Sequence, residues 1–354
     1  MARPAIIAGL SLVLMETISD FGTVEFLAVE TITLGIFNLW LGMNNFSAAS
    51  QLSILAFTFI VVLLGIELSA RKNQKFNDPR VSSFENKFDE INLRQNIILL
   101  SICLIPIIFG FIIPVLILIN LSLQSLNQDN FSTFLEISIN SVSISIFGAF
   151  LIILFSFIIV VAIKYHGGKK FAFLSTLAGS GYAFPGVILA LGTTFFLSLV
   201  QDSINTFLIT FDVNWNLTII GTFTALLYTY ICRFNAIGIG YINSGIQRIS
   251  PNLLEAGRLQ GVSFETSLFK IIFPLIRPSI LTGFLIIFVD IIKELPVTLL
   301  LRPFNFETLA TYVYQYAKEE MLEQSALAAL LIIIIGIVPV IVLNKVINLS
   351  YKKQ

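Results

Sequence analysis

Residues 250–278 read SPNLLEAGRLQGVSFETSLFKIIFPLIRP, a polar and charged excursion in a chain otherwise dominated by apolar runs. Ser250 is suited to cap a helix, Pro251 to open it where a missing N–H costs nothing, and Gly261 to close it in the left-handed conformation. The spacing predicts a short helix over 251–260, with Leu253, Leu254 and Gly257 on one side and Glu255, Arg258 and Gln260 as its polar residues. Such a helix can rest one face on a partner surface. A second start signal follows at Ser263, with Glu265 in the first turn, and this segment is expected to stop at Pro274 ahead of the next apolar run.

The surroundings of this loop set the fold class. Of 354 residues, 56% are hydrophobic and only 12% charged, against about a quarter charged in a soluble domain. Mean hydropathy is +0.91, and apolar runs approach or exceed the roughly 20 residues that cross a bilayer core. Eight spans are expected, at about 5–27, 50–69, 96–119, 139–163, 171–200, 217–236, 279–301 and 325–345. The chain therefore reads as an all-α, polytopic helical membrane protein with the lipid bilayer as its surroundings. The first run is expected to be a retained span rather than a leader, since only Arg3 flanks it and Glu16 and Asp20 interrupt it. Lys plus Arg equals Asp plus Glu at 21 each, so no net charge points to nucleic acid. Cys103 and Cys232 both fall in apolar runs, away from any disulfide or thiolate-metal pattern.

Basic residues give direction, because cytoplasmic flanks keep Lys and Arg. With the N-terminus inside, the outer segments hold only Arg302 and Lys318, Lys293 lies within a span, and the other 18, Arg233 among them, fall on inner segments. Both termini are expected in the cytoplasm, and the 245–278 loop on the cytoplasmic face. The inner segment 70–95 is polar and mixed in charge, as a cytoplasmic linker would be.

Self-similarity refines this plan. An offset of 274 sets Arg3-Pro4 on Arg277-Pro278, Gly9 on Gly283, Glu16 on Asp290 and Asp20 on Glu294; three residues further, Glu30-Thr31 falls on Glu307-Thr308. The expected division is 1–69 as the last two spans of a first repeat, 70–95 as linker, and 96–354 as a complete six-span second repeat. Parallel repeats of six spans are one plan for transporters. The chain then looks like the back two-thirds of a twelve-span protein, with four spans and one loop absent at its start.

Glu255-Ala256-Gly257, then Gly261, then nine residues to Ile271, then Phe273-Pro274, resembles the "EAA" loop of ABC importer permeases. Gly257 replaces the second Ala of that pattern and Phe273 its Leu. The resemblance implies a type I ABC importer permease fold. It also implies that Glu255, Ala256, Gly257, Gly261, Ile271 and Pro274 form a coupling loop docked on a cytoplasmic ABC ATPase subunit. Lys293-Glu294-Leu295-Pro296 and the run from Leu301 to Ala310 look like the corresponding part of ferric-iron permeases, and Asp20 to Glu25 looks like its first-half counterpart. The implied setting is the bacterial inner membrane, with a periplasmic substrate-binding protein delivering cargo. The implied cargo is ferric iron, with thiamine or a polyamine as alternatives. A second permease chain, self-association or a fragment all remain open as accounts of the missing half.

Carboxylates within spans are costly and mark candidate pathways. Glu16, Asp20, Asp290 and Glu294 are the candidates, with i,i+4 spacing in each copy placing each pair on one helix face. The expectation is an oxygen-rich lining for a hard cation; the alternative is carboxylates at the outer interface, hydrated or paired with Lys293. No catalytic residue and no resident metal site is assigned. The chain has one His and no Gly-x-x-x-x-Gly-Lys-Ser/Thr phosphate loop, so ATP and Mg belong to the partner ATPase and this chain binds no cofactor of its own. A secondary transporter is the competing class, and it would need coupling-ion ligands near the midplane instead of a docking loop.

Overall fold

Backbone in hydrocarbon has no water to bond to, so each apolar run must close its own hydrogen bonds as helix. The computed structural model describes residues 16–72, 93–125, 131–166, 177–213, 216–250 and 261–351, with Leu10, Val13, Leu14, Phe173, Leu253 and Leu259. Among them every regular element is helical: α1 (Gly22–Phe26), α2 (Ile32–Phe37), α3 (Phe46–Lys72), α4 (Leu93–Ile107), α5 (Ile113–Ser125), α6 (Phe131–His166), α7 (Gly186–Thr210), α8 (Phe223–Gln247), α9 (Phe273–Ile292), α10 (Pro296–Leu301), α11 (Leu309–Lys318) and α12 (Leu322–Tyr351). Five stretches among the described residues are long and apolar enough to cross a bilayer: Ile97–Gln124, Phe131–Lys164, Gly186–Thr210, Phe264–Ile292 and Leu322–Ile341. Ile32–Gly42 and Phe46–Val62 are shorter apolar helices.

The spans differ from the sequence reading where proline and glycine act in unexpected ways. Pro274 does not stop the helix. A π turn, Leu268–Ile272, joins Phe264–Ser267 to α9, and it contains Lys270, whose carbonyl is the one a proline at 274 would strike. Pro114 is accommodated in the same way, with Gly110 inside the π turn Ile108–Ile112 that joins α4 to α5. The expected span at 279–301 ends early, at Ile292, and restarts as α10. The expected span at 171–200 is also displaced: a 3₁₀ turn, Gly181–Ala183, precedes α7, which runs on to Thr210. The sixth run, expected at 217–236, forms α8, which continues to Gln247.

Packing concentrates where small residues let helices approach, because lipid supplies no hydrophobic drive between spans. α8 lies against α6 and α9, with Ile152, Phe234, Ile242, Ile276 and Ile287 fully buried between them. Ser156 of α6 donates to Asn235 Oδ1 of α8 at 2.6 Å, and a Cβ on Gly238 would meet that serine. A second core joins Phe21, Ile36, Phe37 and Ile60 of the N-terminal helices to Phe184, Val187 and Leu191 around the start of α7. α12 packs on α5 and α11.

The N-terminal helices start at similar offsets from the C-terminal ones. α1, α2 and α3 begin at residues 22, 32 and 46, and α10, α11 and α12 at 296, 309 and 322, offsets of 274, 277 and 276. Thr31 and Thr308 occupy the same N-cap position, each accepting from the backbone N–H three residues on, Leu34 and Thr311, at 3.4 Å. Loss of such a cap costs about 0.5–2 kcal/mol. Thr308→Val is therefore expected to lower the midpoint of thermal unfolding of the detergent-solubilised protein, whereas Thr308→Ser retains it; equal midpoints for the two variants would remove the cap from the account.

Candidate functional site

The site begins where α9 ends. Lys293 is the C-cap of α9, and the chain turns through Glu294 and Leu295 into Pro296, the first residue of α10. Glu294 is buried, and its Oε1 accepts from Val297 N at 3.2 Å, capping α10. The same oxygen lies 3.2 Å from Arg233 Nη1. Arg233 sits in the interior of α8, 8% exposed. Its Nη2 donates to Ser19 Oγ at 3.1 Å, its guanidinium lies 5.6 Å over the Phe234 ring, and its Nε is buried without a hydrogen-bond partner among the described residues. The Tyr230 and Thr298 hydroxyls share a 2.5 Å hydrogen bond beside this pair.

Two further polar contacts complete the layer. Lys293 Nζ lies 3.0 Å from Asp290 Oδ1, and the Tyr182 hydroxyl donates to Glu16. Arg233 to Ser19 and Tyr182 to Glu16 tie the N-terminal segment to the later spans. Close backbone approach makes this possible. A Cβ on Gly186 would overlap the Arg233 guanidinium and lie 2.9 Å from Glu294 Oε1, and one on Gly181 would run into the Cys232 carbonyl.

Asp290 thus lies within electrostatic reach of Glu16, Glu294 and Arg233, and Lys293 within reach of all three carboxylates. Asp20 stands apart, its Oδ1 accepting from Thr23 N at 3.4 Å at the start of α1. The expected i,i+4 faces do not form, because α9 stops at Ile292 and Glu294 lies beyond it; Glu16 is likewise helical while Asp20 is not. Among the described residues no group of three or more His, Cys, Asp or Glu side chains is placed to hold a metal ion. Arg233, assigned by sequence to an inner flank, belongs inside this layer. Sequence hid this, because Asn235, Gly238, Gly240 and Asn243-Ser244-Gly245 all read as stop signals that α8 runs straight through to Gln247.

Two cavities border the layer. A cavity of about 850 Å³ is lined by Gly22, Glu25, Lys293, Leu295, Tyr314 and Lys318. Lys318 pairs with Glu25 at 3.1 Å. Burial, and then the Glu25 carboxylate beside it, push the Tyr314 phenol well above its ordinary range, so it stays protonated. A smaller cavity of about 400 Å³ is lined by Tyr182, Ile237, Tyr241, Ser244, Ile286 and Asp290.

Of the loop residues singled out by sequence, Glu255, Ala256 and Gly257 lie outside the described residues. Gly261 has φ +74°, the left-handed conformation that a side chain resists. Ser263 Oγ accepts from Thr266 N at 3.3 Å and opens the next turn. Ile271 falls in the π turn and Pro274 in the first turn of α9.

The described residues form a helical bundle with apolar, bilayer-length helices and a buried charge layer. Residues 159–353 match the family of binding-protein-dependent transport system inner membrane components, and the chain belongs to that family. It is 23% identical over 353 residues to the Fe(3+)-transport system permease protein FbpB 2 of Haemophilus influenzae, covering 97% of this chain and 66% of that protein. It is 25% identical over 166 residues to the ferric transport system permease protein FbpB of Actinobacillus pleuropneumoniae, covering 46% of this chain and 23% of that protein. The chain thus spans about two thirds of the first of these relatives and about a quarter of the second. A bacterial alginate ABC transporter, solved with an alginate pentasaccharide-bound periplasmic protein, shares the fold at a TM-score of 0.53 and 19% identity, over 71% of this chain and 94% of that one. The chain is accordingly a multi-pass inner membrane component of the binding-protein-dependent transport family.

Proposed function

We propose that this permease carries ferric iron from the periplasm to the cytoplasm by alternating access, driven by a cytoplasmic ABC ATPase and supplied by a periplasmic binding protein. The observation that carries the reading is the alignment of 97% of the chain with an Fe(3+)-transport permease. In this reading both termini are cytoplasmic. Moving Arg233 from the inner flanks into a span takes one residue from a large inner majority and leaves the direction of the charge bias unchanged. In this reading 1–69 are the last two spans of a first repeat, 70–95 the polar cytoplasmic linker and 96–354 a complete second repeat, a division supported by the similar offsets of 274 to 277 between the helix starts. Glu255, Ala256, Gly257, Gly261, Ile271 and Pro274 form the coupling loop, and Glu16, Asp20, Asp290 and Glu294 flank the path. Each carboxylate gathered in the layer already has a partner, so cargo crossing it must exchange those partners rather than fill a vacant cage.

Gly261→Pro and Glu255→Ala are expected to lose co-purification with the cognate ATPase subunit by about tenfold, the size of a 1.4 kcal/mol loss of binding. Gly261 is the sharper test, because proline fixes φ near −65° where +74° is required. Undiminished capture of the ATPase by both variants would remove the docking role. Cargo is tested separately: an iron-loaded binding protein should stimulate ATP hydrolysis by the reconstituted complex, and stimulation by thiamine or polyamine carriers alone would displace iron.

A further inference from the structure

The Lys293–Asp290 ion pair links the linings of the two cavities. Lys293 lines the 850 Å³ cavity and Asp290 the 400 Å³ one, and the two groups meet at 3.0 Å. Three residues of helix advance only about 4.5 Å, so the link here is one pair of side chains thick. The cavities leave it along different elements. The smaller runs along α8 from Tyr182 through Ile237 and Tyr241 to Ser244, toward the helix end at Gln247. The larger runs past Leu295 to Tyr314 and Lys318, in the connection between α10 and α12.

The link is also a joint. Tyr182 lines the smaller cavity and bonds Glu16 of the N-terminal segment. Arg233 reaches across to Ser19 while holding Glu294. The contacts to Glu16 and Ser19 join groups that a relative movement of the N-terminal segment against α7 to α10 would separate, while Arg233–Glu294 and Lys293–Asp290 stay within that body. A purely apolar plug would hold by contact area; this layer holds by a few directional bonds, which can break and reform as a set.

We infer that the two cavities are the outer and inner vestibules of one conduit and that this layer, with Lys293–Asp290 at its thinnest point, is the closed gate between them. The inference rests on the permease reading and is independent of the cargo. Lys293 and Asp290 act as each other's counter-ion in the closed state. An ion of either sign entering from one side meets a carboxylate or an ammonium that is already neutralised, so the gate is not a standing binding site for small ions.

The test uses full-length protein in membrane vesicles, with Cys103→Ser and Cys232→Ala as background and a membrane-impermeant anionic thiosulfonate as probe. Ala317→Cys reports the larger cavity and Ser244→Cys the smaller. Without cargo, ATP or binding protein, Ala317→Cys should react in right-side-out vesicles and Ser244→Cys in inside-out ones. Asp290→Ala/Lys293→Ala should raise labelling of Ser244→Cys from the outer side by about tenfold, a population shift toward an open path. The charge swap Asp290→Lys/Lys293→Asp should leave it closed. Should the alanine pair fail to assemble, Tyr182→Phe removes only the bond to Glu16 and should raise outer labelling in the same direction. Reaction of both reporters from one side, or unchanged outer labelling in the assembled variants, overturns the gate. Loss of iron-stimulated ATPase with these labelling results intact would instead count against the cargo assignment alone.

Discussion

Arg233→Met alone is expected to cost the permease about 3–5 kcal/mol, the usual price of leaving one member of a buried ion pair without its partner. The charge left behind is Glu294, 6% exposed, with only Val297 N still bonded to its carboxylate. Glu294→Gln alone is the mirror case, leaving a guanidinium 8% exposed with Ser19 as its remaining hydrogen-bond partner. The double variant Arg233→Met/Glu294→Gln removes both charges, and glutamine keeps an oxygen for the α10 cap. It should recover most of the loss, because the penalty lies in the unpaired charge rather than in the absence of the pair. Thermal unfolding followed by size-exclusion in detergent reads this directly. Two single losses that simply add in the double variant would show that Arg233 and Glu294 do not act together.

The sequence made the helical class, the bilayer setting and the loop's turn chemistry legible because each depends on local rules. Gly261 takes φ +74° and Ser263 caps its turn for reasons contained within a few residues. The repeat is proposed from Arg-Pro and acidic positions, and helix starts offset by 274 to 277 are consistent with that correspondence. What sequence could not reach is set by tertiary partners. Pro274 reads as a stop unless a π turn precedes it, and a π turn leaves no compositional mark. Asp290 and Glu294 read as one helix face, yet the chain leaves the helix between them because Glu294 caps α10 instead. Arg233 reads as a flank residue by charge alone, and only its position opposite Glu294 places it inside the bundle. Tyr182 and Ser19 carry no motif and become site residues only through contacts 166 and 214 residues away in the chain.

Gly181→Ala should fail more severely than Gly186→Ala, although both add one methyl group at a crowded point. At Gly181 the methyl meets the Cys232 carbonyl carbon at 2.9 Å as well as its oxygen. These are backbone atoms of α8, so no side-chain rotation relieves the clash. The 3₁₀ turn must move off α8 and carry Tyr182 away from Glu16. At Gly186 the methyl meets the ends of Arg233 and Glu294, which can swing aside, and Pro296 Cγ at 2.8 Å, which cannot move alone. Overpacking of this kind typically costs about 1–3 kcal/mol; Gly181→Ala belongs at or above the top of that range and Gly186→Ala inside it. Gly186→Ala should therefore still assemble, but with its ion pair displaced and Ser244→Cys reactive from the outer side. Gly192→Ala in the same helix α7 is the control, because a Cβ there meets nothing within 4 Å. Replacing an interior helical glycine by alanine at an open position gains up to about 1 kcal/mol. The expected order of thermal stability is thus Gly192→Ala, wild type, Gly186→Ala, Gly181→Ala. A Gly181→Ala protein as stable as wild type would mean that the turn before α7 does not rest on the Cys232 backbone, and the placement of Tyr182 against Glu16 would fall with it.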